Sequence, residues 1–258
     1  MTHYLKSGLL AWCVLALAPL GAAAQDAGGD IRDSRPVDAR VVRVKVEGVV
    51  DLRVRQGSPA SLVVTGDPRW LAKLTAVQSG DTLVIGSDMQ GARLQRQHPV
   101  RAEMVLPNLR EVSSESIGNT EITGFRGEEL ELSLDGAGSM SVNANYRLIN
   151  ASLGGVGNMK LAGMNSEGIN VDVQGAGYVT LNGRSKWLKA ELGGLGGLDA
   201  QGFTTDSVVL ELSGLGNATV TAQQSANLNL SGMGSVTVYG KPLNRKVSVD
   251  GLGKVSWK

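Results

Sequence analysis

Residues 134–142 form the nonapeptide LDGAGSMSV, in which two glycines flank one apolar residue and an alternating apolar run follows them. The pattern recurs as LGGVGNMKL at 153–161, VQGAGYVTL at 173–181, LGGLGGLDA at 192–200, LSGLGNATV at 212–220, LSGMGSVTV at 230–238 and VDGLGKVSW at 249–257. A degenerate copy, SESIGNTEI, precedes them at 114–122, with Ser116 in place of the first glycine. Serial repetition with this period indicates a solenoid.

The second glycine of each copy sets the length of the repeat. These glycines are Gly118, Gly138, Gly157, Gly177, Gly196, Gly216, Gly234 and Gly253, so successive copies are 18 to 20 residues apart. Each copy contains a short alternating run, the Gly-x-Gly segment, a second alternating run and a polar turn, with no room for a helix. Coils of about 19 residues built from short strands predict an all-β fold, a parallel β-helix whose coils stack about 4.8 Å apart. The crossover rule predicts that the coil is right-handed.

The glycine pairs are expected to form the corners of the coil. A corner glycine can turn sharply, often at positive φ, and it lets the backbone of the next coil approach closely. The apolar residue between each pair would then point inward and fill the corner; these residues are Ala137, Val156, Ala176, Leu195, Leu215, Met233 and Leu252. A phosphate-binding loop does not fit this context, because such a loop occurs once and leads from a strand into a helix. A calcium-binding nonapeptide repeat does not fit either, since Met159 and Leu198 stand where it needs aspartate.

Period-2 alternation begins ahead of the repeats, at Val41, and predicts strands throughout residues 41–112. One helical turn is predicted at Pro68 to Ala72, with Trp70 and Leu71 packing inward. These amino-terminal strands would cap or extend the first coil. The predicted organisation is a single β-helix domain over 41–258, with the amino-terminal strands at 41–112 and eight Gly-x-Gly coils at 113–258.

The first 24 residues have the pattern of a Sec-type signal peptide. Lys6 is followed by an apolar run from Leu9 to Leu20 and an Ala-x-Ala cleavage site ending at Ala24, and the run is too short to span a membrane. Cys13 is the only cysteine, and bulky Trp12 before it argues against a lipid-attachment site. Residues 25–40, rich in Gly, Asp and Ser, are predicted to be a flexible leader.

Composition excludes several classes of protein. The chain has 25 Lys+Arg against 24 Asp+Glu, and loss of Lys6 with the signal peptide would bring the net charge to zero. Such a balance offers no attraction for nucleic acid. The 35 glycines do not recur every third residue as in collagen, and 42% hydrophobic residues suffice for a sizeable core. Without Cys13, the mature chain would have neither disulfide nor thiol chemistry.

The order of these features resembles the GIN-domain family, a bacterial domain of unknown function named as the head of auto-transporter adhesins. The resemblance rests on the strand pair at 42–55, the Gly66-Asp67 turn leading to Leu71, the segment DTLVI at 81–85, MVLPNL at 104–109 and the serial Gly-x-Gly coils. It covers nearly all of the chain after the leader. It implies an exported, single-stranded β-helix and supplies no catalytic residues.

No arrangement of residues in the sequence predicts a catalytic, cofactor-binding or metal site. The two outward positions after each glycine pair are mostly small and polar, and they do not bring two acids together on adjacent coils. His98 is expected to be a solvated loop residue. The acids Asp135, Asp172, Glu191 and Glu211 alternate with apolar residues and are interpreted as solubilising.

Two functional hypotheses remain, with different consequences for chemistry. The first is an exported, noncatalytic module of the bacterial cell envelope, periplasmic or at the cell surface, that binds a glycan or an envelope protein along a flat side of the solenoid. The alternative is a polysaccharide-active β-helix enzyme with a site drawn from several coils, such as Arg147, Lys160 and Asp199. In either case the open strand edge of the last coil is expected to mediate self-association or to meet a partner, unless charge keeps it apart; the charged residues there are Arg245, Lys246, Lys254 and Lys258.

Overall fold

The fold was analysed in a computed structural model, which describes residues 29–87 and 100–258. The predicted signal peptide and His98 therefore lie outside the described residues. The described chain consists of sixteen strands and one short helix. They are β1 (Ile31–Arg35), β2 (Arg43–Gly48), β3 (Val50–Gln56), β4 (Ser61–Gly66), α1 (Pro68–Leu71), β5 (Leu74–Ser79), β6 (Thr82–Ser87), β7 (Val100–Leu106), β8 (Glu111–Leu134), β9 (Ala137–Leu153), β10 (Val156–Val173), β11 (Ala176–Leu192), β12 (Gly197–Leu212), β13 (Asn217–Leu230), β14 (Ser235–Tyr239), β15 (Asn244–Val249) and β16 (Lys254–Trp257).

A stack of parallel coils forms the body of the molecule. Strands β8 to β13 pair one after another in parallel; β14 and β16 continue the stack on one side and β15 on the other. The register joins equivalent positions of successive copies, so that Met140 lies beside Met159 and Met159 beside Val179. All three are buried, and the interior is built from such ladders of apolar residues. The predicted parallel β-helix is confirmed.

Two further rungs lie on the amino-terminal side of β8. Strands β2 and β3 pair in parallel with the two halves of β8, and β6 and β7 pair in parallel with β2 and β3 in turn. Gly48 is in register with Ser116, the residue that replaces the first glycine of the degenerate copy. Val50 then follows the bend, and its carbonyl oxygen occupies the space that a Cβ on Gly118 would need. Residues 43–56 thus form a coil of the solenoid without its sequence motif.

Antiparallel strands cover the amino-terminal end of the stack. Strand β5 pairs with β6, and β4 pairs with β7, both antiparallel. The outer edges of β6 and β7, the first parallel rung, are therefore hydrogen-bonded rather than open. The helix α1 connects β4 to β5. Its N-cap is Asp67, whose carboxylate accepts a hydrogen bond from the Arg69 backbone N–H at 2.9 Å, and Leu71 is buried while Trp70 packs against the core. The amino-terminal strands both extend the coil and cap it.

Strand β1 corrects the predicted extent of the flexible leader. Residues Ile31 to Arg35 were placed in that leader by composition, but they pair antiparallel with β4, from Ile31 opposite Gly66 to Arg35 opposite Leu62. The strand has few apolar residues and is mostly exposed. Backbone hydrogen bonds to the free edge of β4 order it, and this contribution leaves no hydrophobic pattern in the sequence.

The glycine pairs allow the coils to approach one another at the corner. A Cβ on Gly157 would overlap the carbonyl oxygen of Gly138, and a Cβ on Gly177 would overlap that of Gly157. The first glycines behave alike, since a Cβ on Gly155 would overlap the carbonyl oxygen of Gly136. None of these corner glycines has a positive φ. Close backbone approach, rather than left-handed geometry, is what requires glycine here.

The apolar residues between the glycines face solvent, and the prediction that they fill the corner is wrong. The large ones are Val156 at 62% exposure, Leu195 at 67%, Leu215 at 53%, Met233 at 59% and Leu252 at 83%, and Ile117 of the degenerate copy is 49% exposed. Ala137 and Ala176 are also exposed. Both glycines pack against the preceding coil, and the residue between them, pointing the opposite way in extended backbone, has only solvent to face.

Large aromatic side chains fill the space left by glycines on neighbouring coils. The Tyr146 ring lies where a Cβ on Gly127 would be, and the Trp187 ring lies where one on Gly168 would be. The Tyr146 hydroxyl donates a hydrogen bond to the Leu109 carbonyl oxygen at 2.7 Å inside the protein. Burial raises the pKa of Tyr146, so this hydroxyl stays protonated. Glycine and aromatic residues therefore compensate one another between coils.

A cation–π pair covers part of the carboxy-terminal end, where no cap was expected. Every residue of β15 is exposed, including Val247 and Val249, which continue interior ladders of the preceding coil. Arg245 stands in register with buried Ala226, and its guanidinium lies 4.5 Å from the centre of the Trp257 ring. The stacked pair shields apolar surface that the next rung would otherwise cover.

Substitution of one corner glycine tests the close approach of the coils. Gly157→Ala is expected to lower the free energy of unfolding by about 2 to 3 kcal/mol, because backbone on both coils must shift to admit the methyl group. Gly66→Ala is the matched control, since a Cβ there would meet Val100 at ordinary contact distances of 3.5 Å or more. The control should change stability by less than about 1 kcal/mol. Chemical denaturation followed by circular dichroism measures both, and equal losses would contradict the account of the corner.

Candidate functional site

One flat face of the solenoid carries outward side chains in straight ladders. This face is formed by the alternating run that comes just before the glycine pair in each copy. In the first ladder, Glu131, Asn150, Asn170 and Lys189 are in register on four successive coils. In the second, two positions along the chain, the members are Ser133, Ser152, Asp172, Glu191 and Glu211. We call this surface the ladder face.

The ladder face contains an open groove of about 480 Å³. Its lining residues are Glu111, Glu131, Leu132, Ser133, Asn150, Ala151, Ser152, Asn170, Val171, Asp172, Lys189 and Glu191. Its lining residues come from five successive coils, so the groove runs parallel to the axis of the solenoid. An extended molecule lying in it would meet outward polar or charged side chains at each coil, about 4.8 Å apart.

Side-chain amides are connected along the floor of this groove. The Asn170 amide donates to the Asn150 carbonyl oxygen at 2.8 Å, and the Asn150 amide donates to the Glu129 carboxylate at 3.0 Å. Each bond joins adjacent coils and fixes the orientation of the amide. Each asparagine keeps further donor and acceptor capacity toward solvent, because an amide can take part in four hydrogen bonds.

Three carboxylates stack on adjacent coils beside the amides. Asp172 is in register with Glu191, and Glu191 with Glu211, so their backbones are about 4.8 Å apart at each step. Lys189 forms an ion pair with Glu191 at 2.6 Å, and the Gln174 amide donates to Asp172 at 2.7 Å. The hydrogen bond to Glu191 raises the pKa of Lys189. Lys189 therefore holds its positive charge beside the acidic ladder formed by Asp172, Glu191 and Glu211.

The stacking of these carboxylates could have been found from the sequence. Asp172, Glu191 and Glu211 each stand three residues before the first glycine of their copies. Alignment of the repeats on that position places all three on one ladder. Their interpretation as merely solubilising overlooks this arrangement.

The residues suggested for a site drawn from several coils do not come together. Lys160 and Asp199 share one ladder, but Thr180 lies between them, two coils from end to end. Arg147 lies at a turn and is held by two ion pairs, to Glu128 at 2.7 Å and Glu167 at 2.9 Å. These three side chains therefore form no site.

The turn that holds Arg147 carries an alternating ladder of charge. Glu128, Arg147, Glu167 and Lys186 lie on four successive coils, with a distance of 3.4 Å between Lys186 and Glu167. Hydrogen bonding from Arg147, then the charge of Lys186, lowers the pKa of Glu167. Exposed pairs of this kind add little stability. If one coil were left out of the stack, two residues of like charge would become neighbours, for example Glu128 and Glu167. The alternation of charge therefore favours the native stacking order.

Within 29–87 and 100–258, no three His, Cys, Asp or Glu side chains are grouped so that they could hold a metal ion. The same part of the chain includes no helix with the length and apolar character needed to cross a membrane.

The fold and the ladders define a β-solenoid with an uninterrupted surface groove. Residues 42–242 match the family described as "Putative auto-transporter adhesin, head GIN domain", and the chain belongs to that family. The resemblance noted in the sequence is confirmed. This assignment favours an extracellular or surface location. A comparison with curated proteins finds no match.

Solved structures share the whole architecture at low sequence identity. A putative adhesin from Parabacteroides merdae has a TM-score of 0.81 at 18% identity, covering 90% of this chain and 97% of that chain. A putative adhesin from Parabacteroides distasonis has a TM-score of 0.77 at 19% identity, covering 90% and 98%. A structure from the same organism titled as a putative lipid binding protein has a TM-score of 0.75 at 16% identity, covering 89% and 97%. At these identities the similarity establishes the fold.

Removal of Arg147 tests the electrostatics of the turn ladder. Arg147→Gln is expected to raise the pKa of Glu167 toward its ordinary value of 4.5, because the hydrogen bond that most lowers it is lost. Lys186→Gln is the control and should raise it less. Since folding lowers this pKa, the stabilisation is complete above about pH 4.5 and is lost as the pH falls through the folded-state value. Carboxyl-carbon NMR titration measures both variants, and equal shifts would contradict the assignment.

Proposed function

We propose that this protein is an exported, noncatalytic binding module that holds an extended glycan in the groove of its ladder face. The observation that carries the proposal is the hydrogen-bonded row from Glu129 through Asn150 to Asn170. A glycan presents hydroxyl groups at regular intervals, each a donor and an acceptor. Oriented amides and carboxylates at regular intervals complement such a chain without requiring it to change shape.

The character of the groove agrees with binding rather than turnover. It is open along its length, so it does not exclude water from a bound molecule, as catalytic sites commonly do. The family description names an adhesin head, which is a binding role. Export through a signal peptide at Met1 to Ala24 would deliver the module to the periplasm or the cell surface, where glycans of the envelope are available.

One observation favours the alternative of a polysaccharide-active enzyme. Asp172, Glu191 and Glu211 stand one coil apart, about 4.8 Å between backbones, and retaining glycosidases place two carboxyl groups roughly 5 to 5.5 Å apart. Glu191 is held in an ion pair with Lys189. In that alternative Glu191 would act as the nucleophile, and an acid partner would have to come from Asp172 or Glu211.

We further propose that the last rung mediates self-association of the protein. Val247 and Val249 of β15 are each 42% exposed and extend interior ladders, so a second copy placed end to end would cover them. Lys246, Lys254 and Lys258 lie around this end and would face the same charges on the other copy. Like-charge repulsion opposes the contact, and salt screens it.

Loss of one groove amide tests the binding proposal. A glycan array probed with the full chain should return extended neutral or weakly charged glycans, and Asn170→Ala should weaken binding of the best of them at least about tenfold. Asn158→Ala is the matched control, since Asn158 is exposed on the other side of the glycine pair, outside the groove. Isothermal titration calorimetry compares the three proteins.

The same glycan separates binding from catalysis. Under the binding proposal it is recovered intact after prolonged incubation. Shortened products that disappear with Glu191→Gln, while affinity persists, would replace the proposal with the enzymatic alternative. Absence of any bound glycan at about millimolar concentration, or equal weakening by Asn158→Ala, would overturn the groove as a glycan site.

Salt dependence tests the association of the last rung. Light scattering should show the average mass rising between about 50 mM and 500 mM salt. The double variant with Lys254→Ala and Lys258→Ala should show the higher mass already at low salt, because the repulsion is gone. A mass that does not change with salt or with the substitutions contradicts the proposal.

A further inference from the structure

A line of exposed apolar side chains runs along the glycine corner for the length of the repeat region. Its members are Ile117, Ala137, Val156, Ala176, Leu195, Leu215, Met233 and Leu252, one from each copy. We call this line the corner ridge. Pairing and backbone hydrogen bonds from Val156 to Gly136 and from Leu195 to Gly175 keep its members in step. Seven steps of about 4.8 Å give a ridge about 34 Å long.

The sides of the corner ridge carry no charge over most of its length. In the five copies between 154 and 235, the residues beside the glycine pairs are Gly154, Asn158, Gln174, Tyr178, Gly193, Gly197, Ser213, Asn217, Ser231 and Ser235. Charged residues stand only near the ends, at Glu115, Asp135, Asp250 and Lys254. A continuous apolar line of this size is uncommon on a monomer and marks a contact surface.

The sizes of the ridge residues identify a second copy of the chain as the occupant. The amino-terminal half contains both alanines, whereas the carboxy-terminal half consists of three leucines and one methionine. If two ridges pack antiparallel about a two-fold axis, Ala137 faces Met233 and Ala176 faces Leu195. The remaining pairs are Val156 with Leu215 and Ile117 with Leu252. Three of the four pairs then join a smaller residue to a larger one, and the fourth joins two side chains of equal size, whereas parallel ridges would set alanine against alanine and leucine against leucine.

The spacing of the ridge supports the same occupant. A second copy presents apolar side chains at the identical coil-to-coil interval, so all eight contacts can form together. Six of the ten flanking residues are glycine or serine, which leaves room there for two corners to approach closely. A lipid surface fits the ridge less well. Proteins are anchored to membranes by cationic and tryptophan side chains, and none of these directly flanks the ridge between 154 and 235.

We infer that the corner ridge is the interface of an antiparallel, two-fold symmetric homodimer. Six large side chains, each burying on the order of 100 Å², would cover roughly 600 Å² per partner, near the about 800 Å² of a standard interface once the flanks are added. The two partners together would bury roughly 1,200 Å², the lower end of the range for specific interfaces. A two-fold axis perpendicular to the ridge also leaves both ladder faces on the same side of the dimer, which would make it bivalent.

Charged substitutions on and off the ridge test the dimer. Val156 is 62% exposed on the ridge, and Val77 is 60% exposed on β5 at the amino-terminal end, so Val156→Asp and Val77→Asp form a matched pair. Analytical ultracentrifugation at about 100 µM should give a dimer for the unmodified chain and for Val77→Asp, and a monomer for Val156→Asp. Val156→Asn and Leu215→Asp repeat the test if Val156→Asp does not fold, as judged by circular dichroism.

Disulfide trapping tests the antiparallel arrangement. In a Cys13→Ser background, a mixture of the Ala137→Cys chain and the Met233→Cys chain should form linked pairs that contain one chain of each kind. Neither chain alone should link, because its own cysteines would lie five coils apart in the dimer. Rapid linking of Ala137→Cys alone would show a parallel pair and overturn the inference.

Three further results would also overturn it. They are a monomer at every concentration up to about 1 mM, equal disruption by Val77→Asp, and flotation of the unmodified chain with phosphatidylcholine vesicles that Val156→Asp abolishes. The ladder-face groove is a separate surface. Binding of a glycan by a monomer would therefore reject the dimer and retain the proposed function, and a dimer that binds no glycan would do the reverse.

Discussion

The close approach of successive backbones at the glycine corner is the constraint on which the rest of this structure depends. The carbonyl oxygen of one coil occupies the position of the Cβ that the next coil lacks, as for Gly138 below Gly157. Strand spacing is set by hydrogen bonds, so the corner cannot relax by moving the coils apart. A single substituted corner would have to displace backbone on two coils, which is why the glycine pair recurs in all seven copies from Leu134 onward.

Fixed stacking turns each sequence position into a ladder, and each ladder acquires a property from the residues that repeat in it. Inside, Met140, Met159 and Val179 form an apolar column. Outside, alternating charges at the turn favour one register, and linked amides on the ladder face form an oriented polar row. Neighbours in a ladder are about 19 residues apart in the chain. The composition of a short segment therefore does not predict these properties.

The sequence predicted the fold because the determining residues are periodic, and its errors concern the direction of the corner side chains, one edge strand and one ladder of acids. Gly-x-Gly spacing was enough for the parallel stack. The inward direction assigned to Leu195 and its equivalents was wrong because hydrophobicity alone was taken to mean burial, whereas the packing of both adjacent glycines decides the direction. Strand β1 was missed because hydrogen bonds to the edge of β4 order it with little apolar burial. The acidic ladder is visible only when the copies are compared three residues before the first glycine, where Asp172 and Glu191 occupy equivalent positions.

The two surfaces proposed for recognition adjoin but differ in chemistry. The ridge residues point outward from the corner and are all apolar, differing in size from Ala176 to Leu195. The ladder face lies on a regular strand with full side-chain freedom, and there the chain places amides, carboxylates and Lys189. Size selects a partner built on the same repeat, whereas donors and acceptors select a polar ligand. One repeating unit can thus meet a copy of itself at the corner and a different molecule on the adjoining face.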